Sequence, residues 1–241
     1  MKLKGNGLVK ISESDRALFK LLLQQKALTL DLINRWLCPD DPRLLKGKRP
    51  NTYFRLNRLI KAGYLKRQTL EGMDLYLLTQ GGLDIIRDLN TNSLPLVTIS
   101  ELEMTRHDIL TADIRFYLES HGARGWVSDR ELRLHEDQLP QVPDGACTIA
   151  GLTVFIEVEL SQKGRDRYDK IAQVYTAPKG PDRVLYFHKN DSVVEYLKGL
   201  LAGHERIGFF KYPETVGPPA SVTGVCASED ISLAGFLRLP C

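Results

Sequence analysis

Residues 42–70 pair a helical apolar period with charge of one sign only, and few folds satisfy both demands at once. Tyr53, Phe54, Leu56, Leu59, Ile60 and Leu65 recur at i, i+3 and i+6 or i+7, which predicts one buried stripe on a helix. Punctuating that stripe are Arg43, Lys46, Lys48, Arg49, Arg55, Arg58, Lys61, Lys66 and Arg67, with no Asp or Glu in the segment. A solvated face ordinarily mixes signs, because ion pairing and solubility both favour mixing. A field of one sign attracts a polyanion, and the commonest polyanion is nucleic acid.

The net charge of +3 is the sum of two unequal parts. Residues 1–92 hold 17 Lys+Arg against 9 Asp+Glu, a net of +8, and the remaining 16 against 21 give −5 for residues 93–241. The basic part is expected to hold double-stranded DNA, leaving a different task to the rest. A length of 241 residues suits two ordinary domains, and 43% apolar residues is the composition of a packed chain. No apolar run approaches the roughly 20 residues that span a bilayer. Met1 to Lys10 also lacks the apolar core of a signal peptide, so the expectation is a cytoplasmic protein with no membrane partner. Cys38, Cys147, Cys226 and Cys241 form no C-x-x-C pair, which indicates neither a zinc ribbon nor a disulfide framework.

Local signals predict three helices and a hairpin at residues 10–92. Ser14 is a plausible N-cap for a helix through Leu18, Leu21 and Leu22 to about Gln25, and Thr29 for a second helix carrying Leu32, Ile33, Trp36 and Leu37. Asn51 or Thr52 starts the third, Tyr53 to Ala62, and Gly63 stands where a left-handed C-cap is wanted. Two short strands flank Glu71-Gly72-Met73, and a fourth helix spans about Gly82 to Leu89. This is the order of a winged helix-turn-helix, and Asn57 to Leu65 followed by Tyr76-Leu77-Leu78-Thr79 resembles the recognition helix and wing of bacterial winged-helix regulators. That resemblance implies a third helix in the major groove, with Lys48, Arg49, Asn51, Thr52, Arg55 and Arg58 facing DNA and Lys66 and Arg67 on the wing.

From about residue 104 onward the pattern changes to α/β. Residues 106–120 carry a helical period. Strands are expected at Trp126–Leu134, near Val142–Ile149 and at Leu152–Leu160, then a helix at Arg165–Tyr175 and a strand at Arg183–His188. A helix at Ser192–Leu201, a strand at Ile207–Lys211, a Pro/Gly-rich arm and a last strand near Ile231–Leu239 complete a mixed sheet. Strand alternation places Glu157 and Glu159 on one face, and a hairpin at Ala150-Gly151 brings Asp144 beside them. Carboxylates buried together need a compensating cation or donor, and magnesium is the natural cation. A strand end paired with Lys163, Arg165 or Arg167 in solvent is the competing reading of the same residues.

Pro143-Asp144 followed by Glu157 resembles the PD-(D/E)xK nuclease superfamily, whose restriction-endonuclease-like domain would use Asp144 and Glu157 as magnesium ligands, with Glu159 as a general base or a further metal ligand. The superfamily's lysine position is Glu159 here, which leaves Lys163 or Lys170 as a migrated lysine. The winged helix ahead of His107-Asp108-Ile109-Leu110, Pro143-Asp144 and Glu157-Val158-Glu159-Leu160 resembles the replication-relaxation family of plasmids and mobile elements. That resemblance implies a DNA-linked role in plasmid maintenance, transfer or its regulation and does not establish catalysis. The expectation is a regulator or accessory factor of such DNA with an inactive nuclease-like domain, acting as a homodimer because a single winged helix rarely covers enough DNA for specific recognition. Two alternatives stay open: a magnesium-dependent nickase using Asp144, Glu157, Glu159 and Lys163, and a module whose basic surface meets an acidic protein.

Overall fold

The computed structural model describes residues 9–37, 51–90, 93–99, 102–134, 141–161, 164–189, 191–201, 204–212, 222–226 and 229–238. The chain divides into two compact units, Met1–Phe116 and Tyr117–Cys241, and is mixed α/β with one small and one large sheet. Among the described residues, no helix is long and apolar enough to cross a membrane.

The first unit opens with α1 (Glu13–Gln25), whose N-cap is Ser12 rather than Ser14. Ser12 Oγ accepts from the Asp15 N–H at 3.2 Å while the Asp15 carboxylate accepts from the Ser12 N–H at 2.9 Å, so two orphan donors are satisfied reciprocally. After β1 (Leu28–Thr29), Thr29 Oγ1 accepts from the Leu32 N–H and starts α2 (Leu30–Leu37). The basic segment forms α3 (Thr52–Lys61), and Gly63 ends it at φ 81°. There the Tyr64 N–H donates back to the Leu59 carbonyl at 3.0 Å, which closes the last turn.

β2 (Leu65–Leu70) and β3 (Met73–Leu78) pair around a two-residue turn, Glu71 at φ 44° and Gly72 at φ 81°. Two consecutive left-handed residues make the turn whose twist matches the flanking strands. β1 pairs antiparallel with the other edge of β3, and α4 (Gln80–Ile85) follows, capped by Thr79 and shorter than the sequence suggested. Leu18, Phe19, Leu22, Ile33, Leu56 and Leu59 form the core of this unit.

The long helix α5 (Leu102–Ser120) adds Ala112 and Phe116 to that core. Lys26 Nζ pairs with Asp108 at 2.7 Å, Arg35 pairs with Asp113, and the buried Arg115 donates to Gln24 Oε1 at 3.0 Å. Asp108 of the His-Asp-Ile-Leu motif is therefore engaged in holding α5 against the first unit's helices.

The second unit is a seven-stranded sheet in the order β10-β9-β8-β7-β6-β5-β4. Its strands are β4 (Arg124–Ser128), β5 (Gly145–Ile149), β6 (Leu152–Glu159), β7 (Arg183–His188), β8 (Ile207–Lys211), β9 (Thr223–Cys226) and β10 (Glu229–Ser232). The β6-β7-β8 centre is parallel and both flanks are antiparallel. β4 stops at Ser128, short of Leu134, because Ser128 and Glu131 form a second capping box that starts the one-turn α6 (Asp129–Leu132). Helices α7 (Arg165–Tyr175) and α8 (Asp191–Leu201) bury Tyr168, Ile171, Tyr175, Val194 and Leu197 with Val184, Tyr186 and Phe209 of the sheet. In place of one last strand at Ile231–Leu239, the chain makes the β9–β10 hairpin and α9 (Leu233–Leu237), whose Phe236 packs on Phe210.

Candidate nucleic-acid interface and buried carboxylate cluster

Helix phase decides what α3 offers to solvent. Thr52, Leu56 and Leu59 form its buried stripe, and Asn51, Phe54, Arg58 and Lys61 are exposed. At 3.6 residues per turn these four fall within roughly 80° of arc, one continuous outward face. Thr52, expected to face DNA, is instead 5% exposed, one turn ahead of Leu56 on the inward stripe. Lys48 and Arg49 lie outside the described residues. Lys66 and Arg67 are exposed on β2, where Arg67 stands 3.7 Å from Asp74 of the neighbouring strand.

Arg55 and Arg58 have a partner that the local pattern does not show. Asp15, on α1 and 0% exposed, receives Arg55 Nε at 2.7 Å and Arg58 Nη2 at 3.3 Å. Arg55 also donates to Ser14 Oγ at 2.7 Å, and its side chain is only 23% exposed. Its guanidinium therefore joins α3 to α1 and is not free for a base edge. Arg58 spends one nitrogen on Asp15 and keeps 47% of its side chain in solvent, so its remaining donors still face outward. Burial alone would raise the Asp15 pKa. The Ser12 amide and hydroxyl and the Arg55 guanidinium outweigh it and hold the carboxyl below its ordinary value of 3.8.

Phe54 and Lys61 complete this face, and the sequence reading did not assign them to it. Phe54 was counted with the apolar stripe, yet it lies roughly 200° around the helix from Leu56, a phase that already excluded it from the core.

The acidic residues of the second unit do come together. Glu157 and Glu159 are 5% and 3% exposed on the same face of β6. Asp144 is set just before β5, where its N–H donates to the Ile156 carbonyl at 3.0 Å and its Oδ2 accepts from the Val158 N–H at 2.8 Å. The carboxylate thus sits at the backbone between the two glutamates. α7 closes over the same face: the Tyr175 hydroxyl donates to Glu157, and the Tyr168 hydroxyl donates to Glu159 Oε2 at 3.1 Å. On β7, Tyr186 stands beside Glu157 and His188 beside Glu159 in parallel register.

Burial and the nearby Glu157 push the Tyr175 phenol well above the usual range. Burial, Glu157 and Glu159 do the same to Tyr186. The Tyr175 phenol stays neutral, as a donor must. The Tyr186 hydroxyl, in a residue 1% exposed, has no hydrogen-bond partner among the described residues.

As arranged, the donors suited to these carboxylates are phenols. Each of Asp144, Glu157 and Glu159 accepts from a backbone or tyrosine donor, and among the described residues no group of three or more His, Cys, Asp or Glu is placed to hold a metal ion. Asp144, Glu157 and Glu159 are the residues that would hold a magnesium ion, whose ligands are carboxylate oxygens. Lys163 lies outside the described residues. Lys170 is exposed on α7, while Tyr168, Ile171 and Tyr175 form that helix's buried stripe, so it does not occupy a lysine position in the cluster. Comparison with protein-family models, curated proteins and solved structures returns no match to this chain.

Proposed function

We propose that this protein binds double-stranded DNA through a winged helix-turn-helix in its first unit, as a regulator or accessory factor of plasmid or other mobile DNA. The observation that carries the reading is the outward face of α3, Asn51, Phe54, Arg58 and Lys61, in a segment without a single acidic residue from 43 to 70. The hairpin β2–β3 follows directly and adds exposed Lys66 and Arg67 as the wing. Lysines at such positions neutralise phosphate, while asparagine and arginine read base edges. One such unit covers little DNA, so the protein acts as a homodimer in the cytoplasm.

The second unit, in this proposal, is a restriction-endonuclease-like sheet that serves assembly or architecture. Tyrosine hydroxyls donate to Glu157 and Glu159, two of the carboxylates that a cleaving relative would give to magnesium, and this favours a unit that does not cleave. The convergence of Asp144, Glu157 and Glu159 on one sheet face favours a second reading, a magnesium-dependent nickase.

Two experiments separate the readings. Lys61→Gln with Lys66→Gln, both at exposed positions, should weaken duplex binding several-fold and flatten its salt dependence by about two counterions. Unchanged affinity and salt slope would refute the assignment of α3 and its hairpin. Supercoiled plasmid incubated with magnesium or manganese should stay uncut by both the wild-type protein and Glu157→Gln. Nicking by the wild-type protein that the variant loses would establish the enzyme reading instead.

A further inference from the structure

Phe54 is 74% exposed, the most exposed large apolar side chain among the described residues, and its ring meets Tyr53 edge-on at 6.0 Å between centroids. Leaving a phenyl ring in water forgoes the burial that aromatic side chains normally contribute. Its position is not peripheral. It lies between Asn51 and Arg58 on the outward arc of α3, with Lys61 one turn further on. Asn51 and Arg58 are the types that read adenine and guanine, whereas a phenyl ring offers no hydrogen bond. The matching partner in a major groove is the one apolar group that groove displays, the 5-methyl of thymine.

We propose that Phe54 is a specificity-determining residue that reads thymine by contact with its 5-methyl group. The inference rests on the DNA-binding reading above and adds to it the base that the helix prefers. Charge complementarity makes DNA the occupant of this face: Arg58 and Lys61 are exposed on the same arc of α3, and the segment holds no carboxylate. The two arginines tied to Asp15 fix α3 against α1, which presents the ring on a rigid element.

The test compares two copies of one DNA pool that differ only in that methyl group. A random duplex pool is enriched on the full-length protein and then copied with either dTTP or dUTP. The wild-type protein should bind the uracil copy about four-fold more weakly per contacted thymine, the worth of burying one methyl group. Phe54→Ala, at an exposed position that should leave the thermal melt unchanged, should bind both copies equally. Lys61→Gln should bind both more weakly and keep the wild-type ratio. Equal wild-type affinity for the two copies overturns the thymine contact while DNA binding stands. A uracil penalty that persists in Phe54→Ala assigns the methyl to another residue and also overturns it. Failure to enrich any duplex refutes the DNA reading itself and the inference with it, and leaves an acidic protein as the partner for this face.

Discussion

Replacing Asp15 with Asn should destabilise the first unit by about 2–4 kcal/mol, although the two side chains are nearly isosteric. Four contacts meet at this carboxylate: the Ser12 amide at 2.9 Å, the Ser12 hydroxyl at 2.7 Å, Arg55 at 2.7 Å and Arg58 at 3.3 Å. Loss of the capping box is worth about 1 kcal/mol. The Arg55 pair, with Asp15 fully enclosed and Arg55 mostly so, contributes about 1–2 kcal/mol as a charge-assisted bond. Arg58, half in solvent, adds under about 1 kcal/mol. Because the folded carboxyl titrates below its ordinary value of 3.8, its contribution is complete above that value and is lost as pH falls through it toward the folded pKa. Urea melts at neutral pH and at about pH 3 should therefore show a gap between wild type and Asp15→Asn that narrows in acid. A double-mutant cycle with Arg55→Gln should return a coupling of about 1 kcal/mol or more. A loss under about 0.5 kcal/mol, or a gap independent of pH, would refute the assignment of Asp15 as the anchor of α3.

The two tyrosines beside the glutamates should respond with opposite sign. Tyr175→Phe removes a donor from buried Glu157 and should cost about 1–3 kcal/mol in a chemical melt, whereas Tyr186→Phe removes a buried hydroxyl that has no partner among the described residues and should be neutral or stabilising. Since both phenols are raised above the usual tyrosine range, the second unit's stability is full below about pH 10 and falls as pH rises from that unfolded value toward the folded one. Absorbance at alkaline pH should show these two phenols ionising only as the circular-dichroism signal collapses. Gly145→Ala should cost about 1–3 kcal/mol, because its Cβ would lie 2.3 Å from the Trp126 ring at the start of β5. A melt within 0.5 kcal/mol of wild type would refute the close packing there.

Local chemistry made much of this fold readable and left its long-range pairings hidden. α7 and β7 have the bounds read from periodicity, and Gly63 ends α3 as a left-handed C-cap, because those signals are contained within one element. Among the misplaced boundaries, those at Ser12 and Ser128 each carry an S-x-x-D/E signature that marks the helix start. Asp15 and Arg55 are 40 residues apart, so their pairing requires knowing how α1 meets α3, which no helical period specifies. Strand alternation placed Glu157 and Glu159 on one face. That α7 would return with Tyr168 and Tyr175 to cap them depends on a crossover whose side-chain register the sequence does not display.

That capping bears on whether the second unit can be a working nuclease. Tyr168 and Tyr175 are both 0% exposed, and lifting α7 from the sheet would uncover them together with the glutamates. At 150–250 Å² per aromatic ring and 25 cal/mol per Å², exposing the two rings costs roughly 8–12 kcal/mol. A magnesium ion with a millimolar Kd returns only about 0.4 kcal/mol at millimolar concentration and about 1.4 kcal/mol at ten times that. Opening by that route would need DNA binding or a second protein to supply the difference. The two carboxylate–phenol bonds across one strand end tie α7 to the sheet, and a metal that required α7 to lift would have to overcome them. The wild-type protein should then be no more stable in magnesium than in its absence, as judged by thermal melting. A magnesium-dependent rise in melting temperature that Glu157→Gln abolishes would mean that the ion reaches these carboxylates without lifting α7, and would refute this reasoning.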